Sequence, residues 1–462
     1  MGQQRQPRTA PLHIAVPAAV RPELFEKAKF ILLEREVELE YRPRMLEALQ
    51  QKVNAVAEEL QQSQPSCLDC GQPMKHHDSR KVTWLARFGK LKAEASRYRC
   101  CVCRNECRPL LDVLGVEPGR ISGSLARLVG LLAVVAPYQL AAELGWLLLG
   151  VKISAMGVWR VTQRLGEAAA QHSEQLSRYH SDSRSDPALD NNAPAVVVTG
   201  FDGCALGMQV RTKRRPATAD GQRQPPLPPV EEGRFREVKT GVVLLPNERV
   251  ETSPGRRSVL RRFLVSCLGN ADAVFDLVWA QLNELGWIGA NTVVVIVGDG
   301  AEWIWNRATM FTRRCEILDF WHAIEHAWGF ARLCYGEGST KADQWVHRIA
   351  QDLRAGKVEE VISRLRRLRP RSPEARESLE ALIRYYTDNA CRMRYDEYLR
   401  LGYGIGSGAV ESAHKQIIHA RFRQAGMRWS EAGARRLLAL RLLLLNDNWA
   451  LLDQLRMVSL AA

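Results

Sequence analysis

The spacing of apolar positions changes several times along the chain, and each change marks an element. Thr292-Val-Val-Val-Ile-Val297 is an unbroken β-branched run, too short for a helix and apolar on both faces. That pattern predicts a strand in the middle of a sheet. It stops at Gly298-Asp299-Gly300, where two glycines permit a tight turn and leave the Asp299 carboxylate uncrowded. Ala195-Val-Val-Val-Thr-Gly-Phe-Asp202-Gly203 repeats the pattern upstream, and Cys315-Glu-Ile-Leu-Asp319 is a shorter strand that also ends on a carboxylate. Residues 235–245 predict another strand, and Ala205–Arg211 is expected to pair back on the Asp202 strand. Residues 258–285 read as mostly helix, and 323–400 as almost all helix. Gly404-Ile-Gly-Ser-Gly408-Ala-Val-Glu411 is a glycine-rich turn into a helix, with Glu411 in its first turn. Residues 434–445 form a last apolar helix expected to cover the sheet.

The N-terminal half is patterned differently. Residues 1–20 are rich in Pro, Gln and Arg and are expected to be disordered. From Arg21 to Gln62, Leu24, Ala28, Ile31, Leu32 and then Met45, Leu46, Leu49, Val53, Val56 and Leu60 recur at helical spacing, which predicts a partly exposed helix pair suited to packing or dimerisation. Residues 81–99 alternate and turn at Gly89, as a β-hairpin does. Tyr138–Gly150 and Ala155–Leu165 read as two helices joined by Val151–Ser154, with Ser154 as N-cap, which is a helix-turn-helix pattern. In that arrangement Arg160, Gln163 and Arg164 would face DNA, while Val158, Val161 and Leu165 would face the core. Residues 181–192 are polar and read as a linker, and 211–233 as a mobile loop. The run Arg364-Leu-Arg-Arg-Leu-Arg-Pro-Arg371 fits a solvated helix face and a phosphate-binding stripe equally well.

Composition narrows the partners. A chain of 462 residues exceeds one ordinary core, so more than one domain is expected. The excess of 65 basic over 51 acidic side chains gives +14, which favours a polyanion such as nucleic acid. No stretch of about 18 uncharged apolar residues is present, which argues against a membrane span, and the first residues lack a signal-peptide core. A cytosolic protein acting on the nucleoid is expected. Six of the eleven cysteines fall between Cys67 and Cys107; the others are scattered singly and read as reduced core residues. Cys67-x-x-Cys70 and Cys100-x-x-Cys103 flank the predicted hairpin, the spacing of a zinc ribbon with a closed, structural Zn²⁺ site. Cys101 and Cys107 read as spare thiols, and His76 and His77 as solvent-facing.

Asp202, Asp299, Asp319 and Glu411 thus stand at strand ends and a helix start. Clustered carboxylates repel one another, and a Mg²⁺ or Mn²⁺ ion removes that penalty. At these residues the sequence resembles the bacterial insertion-sequence DDE transposases of the Kra group, which are similar to Mutator-like transposases. The resemblance lies in Asp202, Asp299 and Glu411 as the acidic triad, Asp319-x-x-His322, and Gly-Ser-Gly-x-Val-Glu411, and it extends from about residue 62 to residue 462. It implies an RNase H-like α/β catalytic core with a large all-helical insertion, preceded by helical, zinc-ribbon and helix-turn-helix modules. The implied domains are 1–62 for the tail and N-terminal helices, 63–112 for the ribbon and 113–180 for the DNA-binding region. The core would be 190–330 with 400–462, and the insertion 331–399. Asp202 is the candidate for a carboxylate bridging two ions, with Asp299 and Glu411 holding one each and Asp319, His322 and Lys415 in auxiliary roles. Glu302, Asp319 and Glu325 are rivals for the third carboxylate. The implied activity is cleavage of the ends of a DNA element and joining of the 3′ ends to target DNA by at least two protomers. An RNase H-like nuclease without strand transfer and a non-catalytic DNA-binding regulator are the alternatives.

Overall fold

A computed structural model describes residues 29–61, 64–182, 192–209, 235–253, 256–259 and 261–458. The expected N-terminal tail, the core of the 181–192 linker and the 211–233 loop lie outside them. The chain is mixed α/β and divides into two compact units, residues 1–125 with 149–151, and residues 126–148 with 152–462.

In the first unit a single helix, α1 (Lys29–Gln61), replaces the expected helix pair and carries Pro43 within it. Its second half packs Leu46, Leu49 and the buried Val53 on Trp84, Ala86 and Leu91 of a hairpin, β1 (Met74–Ala86) and β2 (Gly89–Cys100). Its first half leaves Phe30, Ile31, Leu32 and Leu33 exposed. The hairpin turns at Gly89 with Ala86 opposite, as the alternation predicts. Short strands β3 (Glu106–Cys107), β4 (Val116–Glu117) and β5 (Ile121–Ser122) complete a mixed sheet of order β3-β2-β1-β5-β4.

The second unit is built on another mixed five-stranded sheet, of order β10-β7-β6-β11-β12. Its strands are β6 (Val196–Gly207), β7 (Phe235–Leu244), β10 (Arg262–Leu268), β11 (Val293–Gly298) and β12 (Arg314–Leu318); β8 (Arg249–Ser253) and β9 (Arg256–Val259) form a separate ribbon. β6, β11 and β12 are parallel, while β7 pairs antiparallel with both β6 and β10, so β10 runs in the direction of β6. Buried runs Val238–Leu244 and Val294–Gly298 occupy interior strands, which explains their lack of alternation.

Two expectations are corrected. Ala205–Gly207 does not pair back on the Asp202 strand but continues it, because β7 supplies partners all the way to Phe235–Gly207. Arg262–Leu268 is a strand rather than helix; its seven residues, expected within one long helix, pair with Leu244–Val238, and the helix begins only at Ala271 after the Asn270 cap.

Helices pack on this sheet. Residues Ala271–Glu284 lie against β7 and β10, with Phe275 stacked 4.0 Å from Phe201. Glu431–Leu445 covers β10 and packs along the long helix Ala155–Asp182. Between β12 and Gly408 the chain is almost all helical, as expected: Phe320–Tyr335, Thr340–Arg354, Val358–Arg367, Pro373–Asn389 and Tyr395–Arg400. Ser339 and Ser372 cap two of these by accepting from Ala342 N and Ala375 N. The helix Val358–Arg367, which carries the start of the arginine run, buries Val361, Ile362 and Leu365, while Arg364 pairs with Asp352, and Arg366, Arg367, Arg369 and Arg371 are exposed. No helix among the described residues is long and apolar enough to cross a membrane.

Candidate functional site

The parallel register brings acidic residues to one edge. Val297 of β11 pairs with Gly200 of β6, so Asp299 and Asp202 each lie two residues past the last paired position. Gly298 pairs with Leu318 of β12, and Asp319 N donates to Gly298 O at 2.7 Å. Asp299 and Asp319 follow the C-terminal ends of β11 and β12, where α/β sheets place ligands, and Asp202 stands level with them within β6. β11 turns away at Gly298 while β6 runs on, paired with β7, and this leaves the β6 edge open beside Asp202. Gly300 makes the turn at φ +95, and a Cβ there would meet the Tyr385 ring 2.9 Å away. Asp299 Oδ1 accepts from Ala301 N at 3.0 Å and so caps the turn.

The helix Gly408–His414 crosses this edge. At its start, buried Ser407 is held by Asp319, whose Oδ2 accepts from Ser407 N at 3.0 Å and also from Ser407 Oγ. Asp319 Oδ1 accepts from Trp321 N at 2.7 Å, so a carboxylate with no exposed surface is satisfied by three donors. Gly406 approaches without a side chain; a Cβ there would stand 3.0 Å from the Trp321 ring. Ser407 Oγ is also 3.4 Å from Glu411 Oε1. One hydroxyl proton cannot serve both carboxylates, and the closer Asp319 takes it, leaving Glu411 exposed and free to accept another partner. At the helix end, His414 Nδ1 lies 3.1 Å from Asp202 Oδ2, and Asp202 Oδ1 accepts from Gly203 N at 2.6 Å.

Donor atoms of Asp319, His322 and Glu411 all lie within 4.8 Å of one another, a possible cation-holding group. The expected Asp202–Asp299–Glu411 set does not appear as such a group among the described residues, because the Ser407–Asp319 contact seats Glu411 over β12. Glu302 is exposed in the first turn of Glu302–Ala308. Glu325 is exposed and 3.5 Å from His322 Nδ1. Lys415 is exposed where the helix widens into a π-turn, Lys415–His419. Tyr385, whose hydroxyl donates to Asp299 O at 2.7 Å, is pushed well above its ordinary value by burial and by the negative charge of Asp299 and Asp319. Sequence reasoning missed Ser407 and His414 as site residues. Their positions four before and three after Glu411 on one helix were the available signal.

The cysteines of the first unit gather as their spacing predicts. Cys67, Cys70, Cys100 and Cys103 have all four sulfurs within 4.8 Å, with Cys67–Cys103 at 3.3 Å and Cys70–Cys100 at 3.5 Å. Four sulfurs about 2.3 Å from one centre would stand nearly that far apart, so the set could hold Zn²⁺. Each knuckle turns through a left-handed residue, Gly71 and Arg104. Backbone amides of Cys103 and Val102 aimed at Cys100 push its thiol down to about 6, and amides of Cys70 and Asp69 lower that of Cys67. Such donors favour thiolates, the form that binds metal, at Cys67 and Cys100, whereas the thiol of Cys70 is pushed up by contact with Cys100 and that of Cys103 to about 12 by contact with Cys67. Cys107 packs its sulfur 3.4 Å from that of Met74, whereas Cys101 is exposed. His76 and His77 are exposed, as expected.

The expected DNA-reading helix is corrected in part. Ser154 Oγ caps it by accepting from Gly157 N at 3.1 Å, but the helix runs on to Asp182. Val161–Gln163 and Leu165–Ala170 are buried, so Gln163, expected to face DNA, is 1% exposed and belongs to the core. The Glu431–Leu445 helix covers that face; a Cβ on Gly166 would collide with Arg436 O. Arg160 is exposed in the first turns and Arg164 is half-buried. The outer surface there is apolar as well as basic, with Trp146, Leu147, Leu148, Met156 and Trp159 exposed.

No family model matches the chain, and no curated protein matches it by sequence. Among solved structures it is similar to a chain of the Drosophila P element transposase strand transfer complex, at 11% identity over 63% of this chain and 80% of that one. The TM-score is 0.19, too low to carry an argument about this fold or site.

Proposed function

We propose that the chain is a divalent-metal-dependent enzyme that cleaves DNA at the ends of a mobile element and joins the 3′ ends to a target. The observation that supports the reading is the register that sets Asp202 of β6 level with Asp299 and Asp319, with Asp319 holding Ser407 at the start of the Glu411 helix. Numbered along the second unit's sheet, the strands run third-second-first-fourth-fifth, with only the second antiparallel to the others. That order supports an RNase H-like core, and the helices between β12 and Glu411 support an inserted helical region.

Hard carboxylate oxygens suit Mg²⁺ or Mn²⁺. Asp202 and Asp299 would hold ions, with Glu411 completing the set from its helix. Such ions supply Lewis-acid charge and an activated oxygen nucleophile in phosphodiester chemistry. Asp319 anchors the turn that carries Glu411, and half-buried His322 and exposed Lys415 would meet phosphate oxygens. The four cysteines would hold a structural Zn²⁺. The net charge of +14 favours DNA as partner, and Arg160 and Arg164 would contribute to its binding. Pairing two ends would require at least two protomers.

The test is incubation of the full chain with Mg²⁺, labelled end fragments and a supercoiled plasmid. Labelled ends joined to the plasmid are expected. Metal-dependent cutting without joined product would indicate a nuclease, and binding without any cutting would overturn the enzymatic reading.

A further inference from the structure

We propose that His414 is a positioning residue for Asp202, tying the first strand of the sheet to the glutamate helix so that Asp202 and Glu411 are presented together. This rests on the reading of those carboxylates as divalent-metal ligands. His414 is 5% exposed, and its Nδ1 faces Asp202 Oδ2 at 3.1 Å. Nδ1 is the ring nitrogen turned to that oxygen, and a proton on it faces the carboxylate. Asp202 Oδ1 takes the amide of Gly203 at 2.6 Å. One oxygen of Asp202 thus takes an amide of its own strand, and the other faces a ring nitrogen of the glutamate helix.

The other ring nitrogen makes the case sharper. His414 Nε2 is buried and has no hydrogen-bond partner in the protein. Burying a polar atom unpaired is unfavourable, so a position that needed only packing would be better filled by an aliphatic residue. The contact with Asp202 is what the ring provides. His414 follows Glu411 by three residues and so lies on the neighbouring helix face. The helix opens into the π-turn Lys415–His419 immediately afterwards, a local change of register often associated with functional sites. The opposite end of the same short helix is tied to Asp319 through Ser407. The helix is therefore fastened at both ends to acidic residues of the sheet edge, with Glu411 midway.

The experiment compares His414→Asn and His414→Gln in the full-length, zinc-loaded chain. The amide nitrogen of Asn stands near the place of Nδ1, and that of Gln near the place of Nε2. Mn²⁺ binding is measured calorimetrically, alongside kcat and KM for cleavage of end DNA. His414→Gln is expected to weaken Mn²⁺ binding by about tenfold or more and to lower kcat with little change in KM, while His414→Asn recovers most of both. Equal behaviour of the two variants, or Mn²⁺ binding by His414→Gln as tight as in the unaltered chain, would overturn the proposal. Asp202→Asn separates the two levels of argument. If Asp202→Asn loses Mn²⁺ and His414→Gln does not, the positioning role falls and the metal reading stands. If the unaltered chain shows no carboxylate-dependent Mn²⁺ binding, both fall.

Discussion

The sulfur donors and the carboxylate donors of this chain are assembled by different means. Cys67 and Cys70 share one tight turn, Cys100 and Cys103 another, and a two-stranded hairpin brings the turns together. The carboxylates come from separate strands and a distant helix: Asp202 from β6, Asp299 and Asp319 from the ends of β11 and β12, and Glu411 from across the helical insertion. Four sulfur donors are the full number of a closed tetrahedral zinc site. The carboxylate edge is half open: Asp319 is fully buried and consumed by three donors, whereas Glu411 is exposed. A site meant to hold its ion permanently can be built from local turns. A site meant to admit a substrate needs an edge that only several long-range contacts can define.

The largest effect expected from breaking this contrast is at the cysteines. Cys67→Ser or Cys100→Ser, or a strong chelator, should release about one zinc per chain and unfold the hairpin unit, since structural zinc contributes on the order of 10 kcal/mol to such small folds. Elemental analysis with circular dichroism checks this, and a metal-free chain with an intact hairpin would remove zinc from the account. Next come the carboxylates. Asp202→Asn, Asp299→Asn or Glu411→Gln should leave the fold in place and lower Mg²⁺-dependent cleavage by about 10³-fold or more, roughly 4 kcal/mol of barrier. A gel shift on the same end fragment should show binding unchanged or slightly tighter, because a negative charge near phosphate is lost. Cleavage at the original rate in Glu411→Gln would promote Asp319 with His322 in its place.

A third prediction concerns the packing of two long helices on each other. Glu167 accepts from Arg435 at 2.7 Å and from Arg436 at 2.5 Å, joining the two long helices. Burial alone would raise the Glu167 carboxyl, but hydrogen bonds and charge from Arg436 and Arg435 outweigh it and hold the group below its ordinary value. The unfolded chain then takes up the proton first as pH falls. Its stabilisation is complete above about pH 4.3 and is lost as pH drops through the lowered folded value. Glu167→Gln should cost about 2–4 kcal/mol at neutral pH and flatten that acid limb, as read by urea unfolding across pH. The smallest effect should come from Ser407→Ala, which removes one of three donors to Asp319 and should cost about 1–2 kcal/mol. Its cleavage defect should exceed that stability loss if the turn places Glu411; an unchanged kcat would mean the turn holds without the hydroxyl.

Residue patterns made much of the second unit legible. Val294–Val297 read as an interior strand because β-branched residues without alternation fit a strand buried on both faces. The hairpin with its flanking cysteines was legible because its contacts lie close in sequence. Arg262–Leu268 was not, because its strand character depends on pairing with β7. Gln163 was misplaced for a similar reason: its helical spacing allowed either face, and only the Glu431–Leu445 helix determined which one was covered.

By itself, then, the sequence determined what local chemistry and periodicity can encode. It specified four cysteines on two turns, acidic residues at the ends of apolar runs, and a glycine-rich entry into the Glu411 helix. The tertiary structure decided which acidic groups meet. Parallel register set Asp202, Asp299 and Asp319 side by side, and the Ser407–Asp319 and His414–Asp202 contacts join the Glu411 helix to them. Strand register and helix docking are set by contacts between residues far apart in the chain, and no local pattern of residue types carries that information.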